Sequence, residues 1–177
     1  MEGYREIERF NEKSVKISIV ENVTNKIRNI IKLYPNHAIL EIEVRWLQKF
    51  AKSTTVRVPK VIRSEDRELL LEYISGRTRL QELIDGAMFK VNMMAGALAR
   101  YLKAFYVESK GYVFDEMNLH GYVMRGGLLS GMDFVTARPG SEDELAAETI
   151  ASVLVDTRIS DVRKQLFIRE FLRIFGG

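Results

Sequence analysis

The apolar period of this chain changes once, near Pro35, and that change excludes most architectures. Before it, three runs rich in Ile, Val and Tyr alternate: YREIERF, SVKISIVENV and NKIRNIIKLY, separated by the turn-like NEKS and VTN. Alternation at period two predicts strands, and short turns between them predict a small antiparallel meander. From His37 to Lys52 the spacing becomes helical, with Leu40, Val44, Leu47, Phe50 and Ala51 on one stripe. Glu43 falls within that stripe and Glu41 outside it. VRVPKVI and ELLLEYI then read as two more strands, the first interrupted by Pro59 and therefore expected at a sheet edge.

SGRT ends the strand pattern. Thr78 and Gln81 form a predicted capping box that opens a helix, and Ser141 with Glu144 forms a second. A longer helix over Met88 to Val107 would bury Val91, Met94, Leu98, Leu102 and Phe105, its methionines serving as core filler. The helix after Ser141 is expected to turn Ala147, Ile150, Ala151 and Leu154 inward, and DVRKQLFIREFLRIF is the last helix. The class is α+β. The absence of βαβ alternation argues against a doubly wound sheet.

At 177 residues and 46% hydrophobic content the chain can bury one ordinary core or two small lobes. Its 27 basic and 24 acidic residues leave a net charge of +3, too small to announce a nucleic-acid or membrane partner. The absence of cysteine excludes disulfides, thiolate metal sites and cysteine nucleophiles. No run reaches the ~18 apolar residues of a membrane span, and the start is too charged for a secretory signal. The chain reads as a soluble cytoplasmic protein.

Chemistry is concentrated in DEMNLHGYVMRGGLLSGMDF, residues 115–134, where two aspartates, an asparagine and a histidine surround a Gly-Gly hairpin. Phosphoryl transfer asks a protein for a cation on the nucleotide phosphates, ligands for magnesium, and an aspartate near the attacking hydroxyl. In kinases the hydroxyl-orienting Asp, a metal-binding Asn and a second metal-binding Asp follow in that order. Here His120 follows Asp115 by five residues and Asp133 follows His120 by 13. The element order and these separations resemble a two-lobed protein kinase-like fold. That resemblance implies a small antiparallel sheet with one helix over residues 1–74 and a mainly helical lobe with a β-hairpin over 75–177. VPKVI and GSEDELAAETIASVL are similar to the small atypical kinase of the KEOPS tRNA-modification complex, and VPKVI also to RIO kinases and aminoglycoside phosphotransferases. His120 at the asparagine position resembles lipopolysaccharide core kinases.

The resemblance implies a role for each candidate. Lys32 would be the third-strand lysine on the nucleotide phosphates, with Glu43 as its helix partner. Backbone groups of Glu72 and Ile74 would meet adenine, and Ser14 would help cover the phosphates. Asp133 and His120 would bind Mg²⁺, with Asn118 as an alternative ligand, and Asp115 would orient the acceptor hydroxyl. The implied cofactors are ATP and Mg²⁺, and the implied activity is transfer of the ATP γ-phosphate to a hydroxyl. The chain departs from the pattern at Val113-Phe114-Asp115, which lacks the usual histidine, and at the first turn, RFNEKSVK, which has no glycine. Those departures support an alternative, a pseudokinase serving as scaffold or nucleotide sensor. A third reading is an RNA-linked assembly factor using Arg163, Lys164, Arg169 and Arg173 of the last helix. The segment from Asp133 to Ser141 is too short for a peptide platform, so a small molecule, the chain itself or one dedicated protein partner is the expected target. Arg138, just after it, would neutralise nearby acids.

Overall fold

The computed structural model describes residues 3–12, 15–125 and 128–176, with 10–12 described by their backbone. The chain is α+β and divides into two units, Met1–Lys52 with Val58–Ile74, and Ser53–Arg57 with Ser75–Gly177.

The first unit contains β1 (Tyr4–Glu12), β2 (Val15–Asn22), β3 (Arg28–Leu33), α1 (His37–Phe50), β4 (Val61–Glu65) and β5 (Glu68–Glu72). The strands form one antiparallel sheet in the order β1-β2-β3-β5-β4. The middle position of β3 explains why Asn29 to Lys32 are all buried, whereas β4, on an edge, is largely exposed. Pairing of the expected strand VRVPKVI starts only at Val61. Pro59 has no N–H to give the ladder, and Val56 and Arg57 belong to the second unit, where Arg57 bridges Ser130. ELLLEYI likewise stops pairing at Glu72.

Helix α1 begins where the Asn36 side chain accepts from Ile39 N at 3.0 Å, a cap that satisfies one of the free N–H groups of the first turn. It buries Leu40, Glu43, Trp46, Leu47 and Phe50. Val44 is half-buried and Ala51 exposed, so the inward stripe runs through Trp46 instead.

The second unit contains α2 (Arg79–Asp85), α3 (Met88–Ser109), β6 (Tyr112–Phe114), a 3₁₀ turn (Leu119–Gly121), β7 (Tyr122–Arg125), β8 (Leu128–Gly131), β9 (Ala137–Pro139), α4 (Glu142–Val155) and α5 (Asp161–Phe175). Both predicted capping boxes form, at Thr78 with Gln81 and at Ser141 with Glu144. Val91, Met94, Leu98, Leu102 and Phe105 of α3 are buried. Met94 fills core as expected, but Met88 and Met93 are 41% and 55% exposed. Helix α5 packs against α3 and buries Phe167, Phe171 and Phe175, which stack in sequence at centroid distances of 5.7 and 5.0 Å.

Helix α4 corrects the sequence reading. Its buried residues are Leu145, Thr149 and Val153. Ala147 and Ala151 are exposed, Ile150 is half-buried, and Leu154 is 52% exposed. Apolar residues occur all round this helix, so periodicity alone selects no face; packing against β6 and α5 does. Among the described residues no helix is long and apolar enough to cross a membrane.

Candidate functional site

The candidates fall into two groups, one in each unit. In the first, Lys32 lies on β3 opposite Ile17 of β2 and Leu69 of β5. Its Nζ donates to Glu43 Oε1 of α1 at 3.1 Å. The two side chains are 5% and 0% exposed. Each of these two charges, withdrawn from water, is neutralised by the other through a charge-assisted hydrogen bond. The neighbouring glutamate behaves differently: Glu41 is exposed and pairs with His37 at the surface, 3.4 Å away. The helical period thus separated an inward from an outward carboxylate correctly.

Other first-unit candidates are less distinctive. The Glu72 amide donates to Lys60 O at 2.9 Å, so it serves the sheet, and the Glu72 side chain is exposed. Ile74 is half-buried beyond the end of β5. Ser14 lies outside the described residues, as do Gly126 and Gly127.

In the second unit, an aromatic floor positions both candidate acids. Phe114 immediately precedes Asp115, Phe134 immediately follows Asp133, and both rings meet Phe105 of α3, at 4.6 and 5.8 Å between centroids. Phe105 and Phe134 are fully buried and Phe114 nearly so. The β7–β8 hairpin leads from the 3₁₀ turn to Asp133, and Met132 N donates back to Gly121 O at 2.7 Å. A side chain at Gly121 would stand 3.1 Å from Asp133 Cβ, so the missing Cβ permits this close approach.

Asn118 and His120 were the alternative ligands beside Asp133. Asn118 makes the contact, its Nδ2 donating to Asp133 Oδ2 at 3.3 Å. Its Oδ1 accepts from His120 N at 3.0 Å, capping the 3₁₀ turn. The His120 ring is half-buried. Among the described residues no three of His, Cys, Asp and Glu converge as metal ligands. Magnesium commonly binds through one or two carboxylates, with phosphate and water oxygens completing its octahedron. Asp133 fits that habit; Asn118 would join it by turning its amide oxygen toward Asp133 and releasing His120 N.

Asp115 is held from the other side. Strand β9 pairs with β6, placing Arg138 opposite Val113, and Asp115 N donates to Thr136 O at 3.1 Å. Arg138 Nε donates to Asp115 Oδ1. Arg138 NH1 donates to Glu144 Oε2 and to Pro139 O, each at 3.1 Å. The Asp115 hydrogen bond, then the Glu144 bond, raise the Arg138 pKa above its ordinary value. The Ser141 N–H, then Arg138, hold Glu144 below the usual glutamate range. Arg138 therefore neutralises both acids. The β6–β9 ladder that brings it there was not legible in advance, because three-residue strands carry no measurable alternation.

Two further features lay beyond sequence reasoning. Arg79, at the start of α2, is only 2% exposed; burial lowers its pKa to about 10, against the attraction of Glu82. Its NH1 points to Met124 Sδ at 3.9 Å. Three of the four α5 cations proposed for RNA are spent within the protein: Arg163 on Leu83 O, Lys164 on Leu154 O, and Arg173 on Glu170.

No family model matches the chain, and no curated protein matches it by sequence. Solved structures that match the chain number 1364, too many to point to one activity. One of them is Rv3197 of Mycobacterium tuberculosis in its complex with erythromycin, with a TM-score of 0.60 and 10% sequence identity over 78% of this chain. This chain spans 47% of that one. At that identity the likeness extends to the fold alone.

Proposed function

We propose that the chain is a small atypical ATP-dependent phosphotransferase of the protein kinase-like type. The buried Lys32–Glu43 pair carries this reading. A lysine sealed into a central strand and matched to a helix glutamate at 3.1 Å is a costly arrangement for stability alone. It also occurs in register with Asp115, His120 and Asp133.

In this reading Lys32, oriented by Glu43, grips the ATP phosphates. Asp133, with Asn118 or His120, holds Mg²⁺, which when bound offsets phosphate charge. Asp115 orients the acceptor hydroxyl and accepts its proton. The short Asp133–Ser141 segment suits a small hydroxyl substrate, the chain itself or a single dedicated protein partner better than a peptide platform.

A second reading is a pseudokinase that binds nucleotide as a scaffold, with an RNA-modification complex as its setting. It draws on the Arg138 grip on Asp115 and on the absence of glycine from the first turn. Calorimetric titration with ATP, with and without Mg²⁺, tests both. Metal-dependent binding by the wild type, lost in Lys32→Met and Asp133→Asn, together with phosphate transfer abolished in Asp115→Asn, supports the transferase. Binding without any transfer favours the scaffold, and absence of binding at millimolar ATP removes both.

A further inference from the structure

Phosphoryl transfer needs positive charge beside the moving group, whose equatorial oxygens carry the charge of the transition state. Such charge is scarce where Asp115 would act. Between Tyr112 and Ser141 the only Lys or Arg residues are Arg125 and Arg138. Arg125 ends β7 at the hairpin, whereas Arg138 touches Asp115 itself.

Arg138 is also built in. Its Nε and NH1 meet three acceptors, on Asp115, Pro139 and Glu144. Its NH2, with two N–H donors, has no acceptor among the described residues. A Cβ on Gly140 would stand 2.4 Å from Glu144 Oε2 and 3.0 Å from Arg138 NH1, so the glycine leaves room for that pair to meet. Glu144 is in turn fixed by the capping box, its Oε2 accepting from Ser141 N at 3.1 Å. The start of α4 thus steadies a guanidinium that still has one edge to offer.

We propose that Arg138 is a further catalytic residue, donating from NH2 to the γ-phosphoryl oxygens while Nε keeps Asp115 in place. This inference rests on the phosphotransferase reading above. In the step, the acceptor oxygen bonds to the γ-phosphorus as the bond from that phosphorus to the β–γ bridging oxygen breaks. The bridging electron pair leaves with ADP, and the acceptor proton passes to the Asp115 carboxylate. Arg138 exchanges no proton; it offsets charge. With water as acceptor the products are ADP and inorganic phosphate.

The test is Mg-ATP hydrolysis by the full chain, followed through released phosphate, beside calorimetric ATP affinity and the thermal midpoint. Arg138→Gln is expected to lower kcat about 10²- to 10³-fold, the loss typical of one removed transition-state donor, with ATP affinity and thermal midpoint unchanged. Arg138→Lys should keep an intermediate rate, and Glu144→Gln should lose less than Arg138→Gln. An unchanged kcat in Arg138→Gln overturns the proposal, as does a loss confined to ATP affinity. A raised kcat would also overturn it and make Arg138 a restraint on Asp115. A wild type that binds Mg-ATP without turning it over leaves the scaffold reading and overturns this one. If the wild type neither binds nor hydrolyses Mg-ATP, the phosphotransferase reading falls and Arg138 falls with it. An active wild type with an indifferent Arg138→Gln removes this proposal alone.

Discussion

Two carboxylate–cation pairs lie at the candidate residues, and they differ in burial. Lys32 and Glu43 are sealed in the first unit, at 5% and 0% exposure, whereas Arg138 and Asp115 of the second unit are 38% and 59% exposed. In a sealed pair each charge depends on the other, because water cannot replace a lost partner. An exposed pair exchanges its partner for water at little cost and contributes little to stability. The first arrangement suits a rigid fixture, the second a contact that must open when a substrate arrives. The acids of the second unit are held by packing beneath them, through Phe105, Phe114 and Phe134, more than by charge.

The largest expected effect breaks the sealed pair. Glu43→Ala strands the Lys32 ammonium and should destabilise the protein by about 3–5 kcal/mol, read as a lowered urea midpoint. The double variant Lys32→Met/Glu43→Leu should recover most of that loss; if it proves as unstable as the single variant, lost packing rather than stranded charge explains the effect. Next comes the packing under the second unit's acids. A side chain at Gly131 would stand 2.5 Å from the Tyr101 hydroxyl and 3.2 Å from the Phe134 ring. That hydroxyl already donates to Arg57 O and accepts from Gly131 N, so it has no free direction to move. Gly131→Ala should cost about 1–3 kcal/mol in chemical denaturation, as overpacking does.

A smaller effect should follow Ser141→Ala, which removes the cap that Glu144 N now finds at 3.2 Å. About 1 kcal/mol is expected, measurable as a shift in thermal midpoint. The smallest effects belong to the exposed network. Arg138→Gln should leave the urea midpoint within error of the wild type, and a large loss would show that this pair is structural after all. Glu144 titrates below its ordinary range in the folded chain, so its contribution is present above the unfolded glutamate pKa and fades as pH falls through the folded value. Glu144→Gln should therefore lower stability slightly at neutral pH and converge with the wild type in acid, which flattens the acid limb of a stability-against-pH curve.

How far the sequence can be read depended on what each segment packs against. Helix α1 was legible to the level of a single carboxylate, because its stripe is strongly one-sided and Glu43 falls inside it. The bounds of α5 match DVRKQLFIREFLRIF, with charge and aromatic residues alternating at helical spacing. Helix α4 was legible as a helix but not by face, since Leu145 and Leu154 are equally apolar and only the neighbouring elements choose between them. At the candidate site, the spacing of Asp115, His120 and Asp133 was visible, yet the contact of Asn118 with Asp133 was not. That contact depends on how tightly the 3₁₀ turn winds past Gly121.

Local rules therefore determined the order of the longer elements, both capping boxes, the edge position of the strand after Pro59 and the inward turn of Glu43, because each depends on residues within a few turns of one another. Tertiary structure decided the rest. It assigned Ser53–Arg57 to the second unit, gathered Phe105, Phe114 and Phe134 under the two acids, and carried Arg138 across 23 residues to Asp115. Those contacts join residues far apart in the chain, where no periodicity links them and only the closing of the fold brings them together.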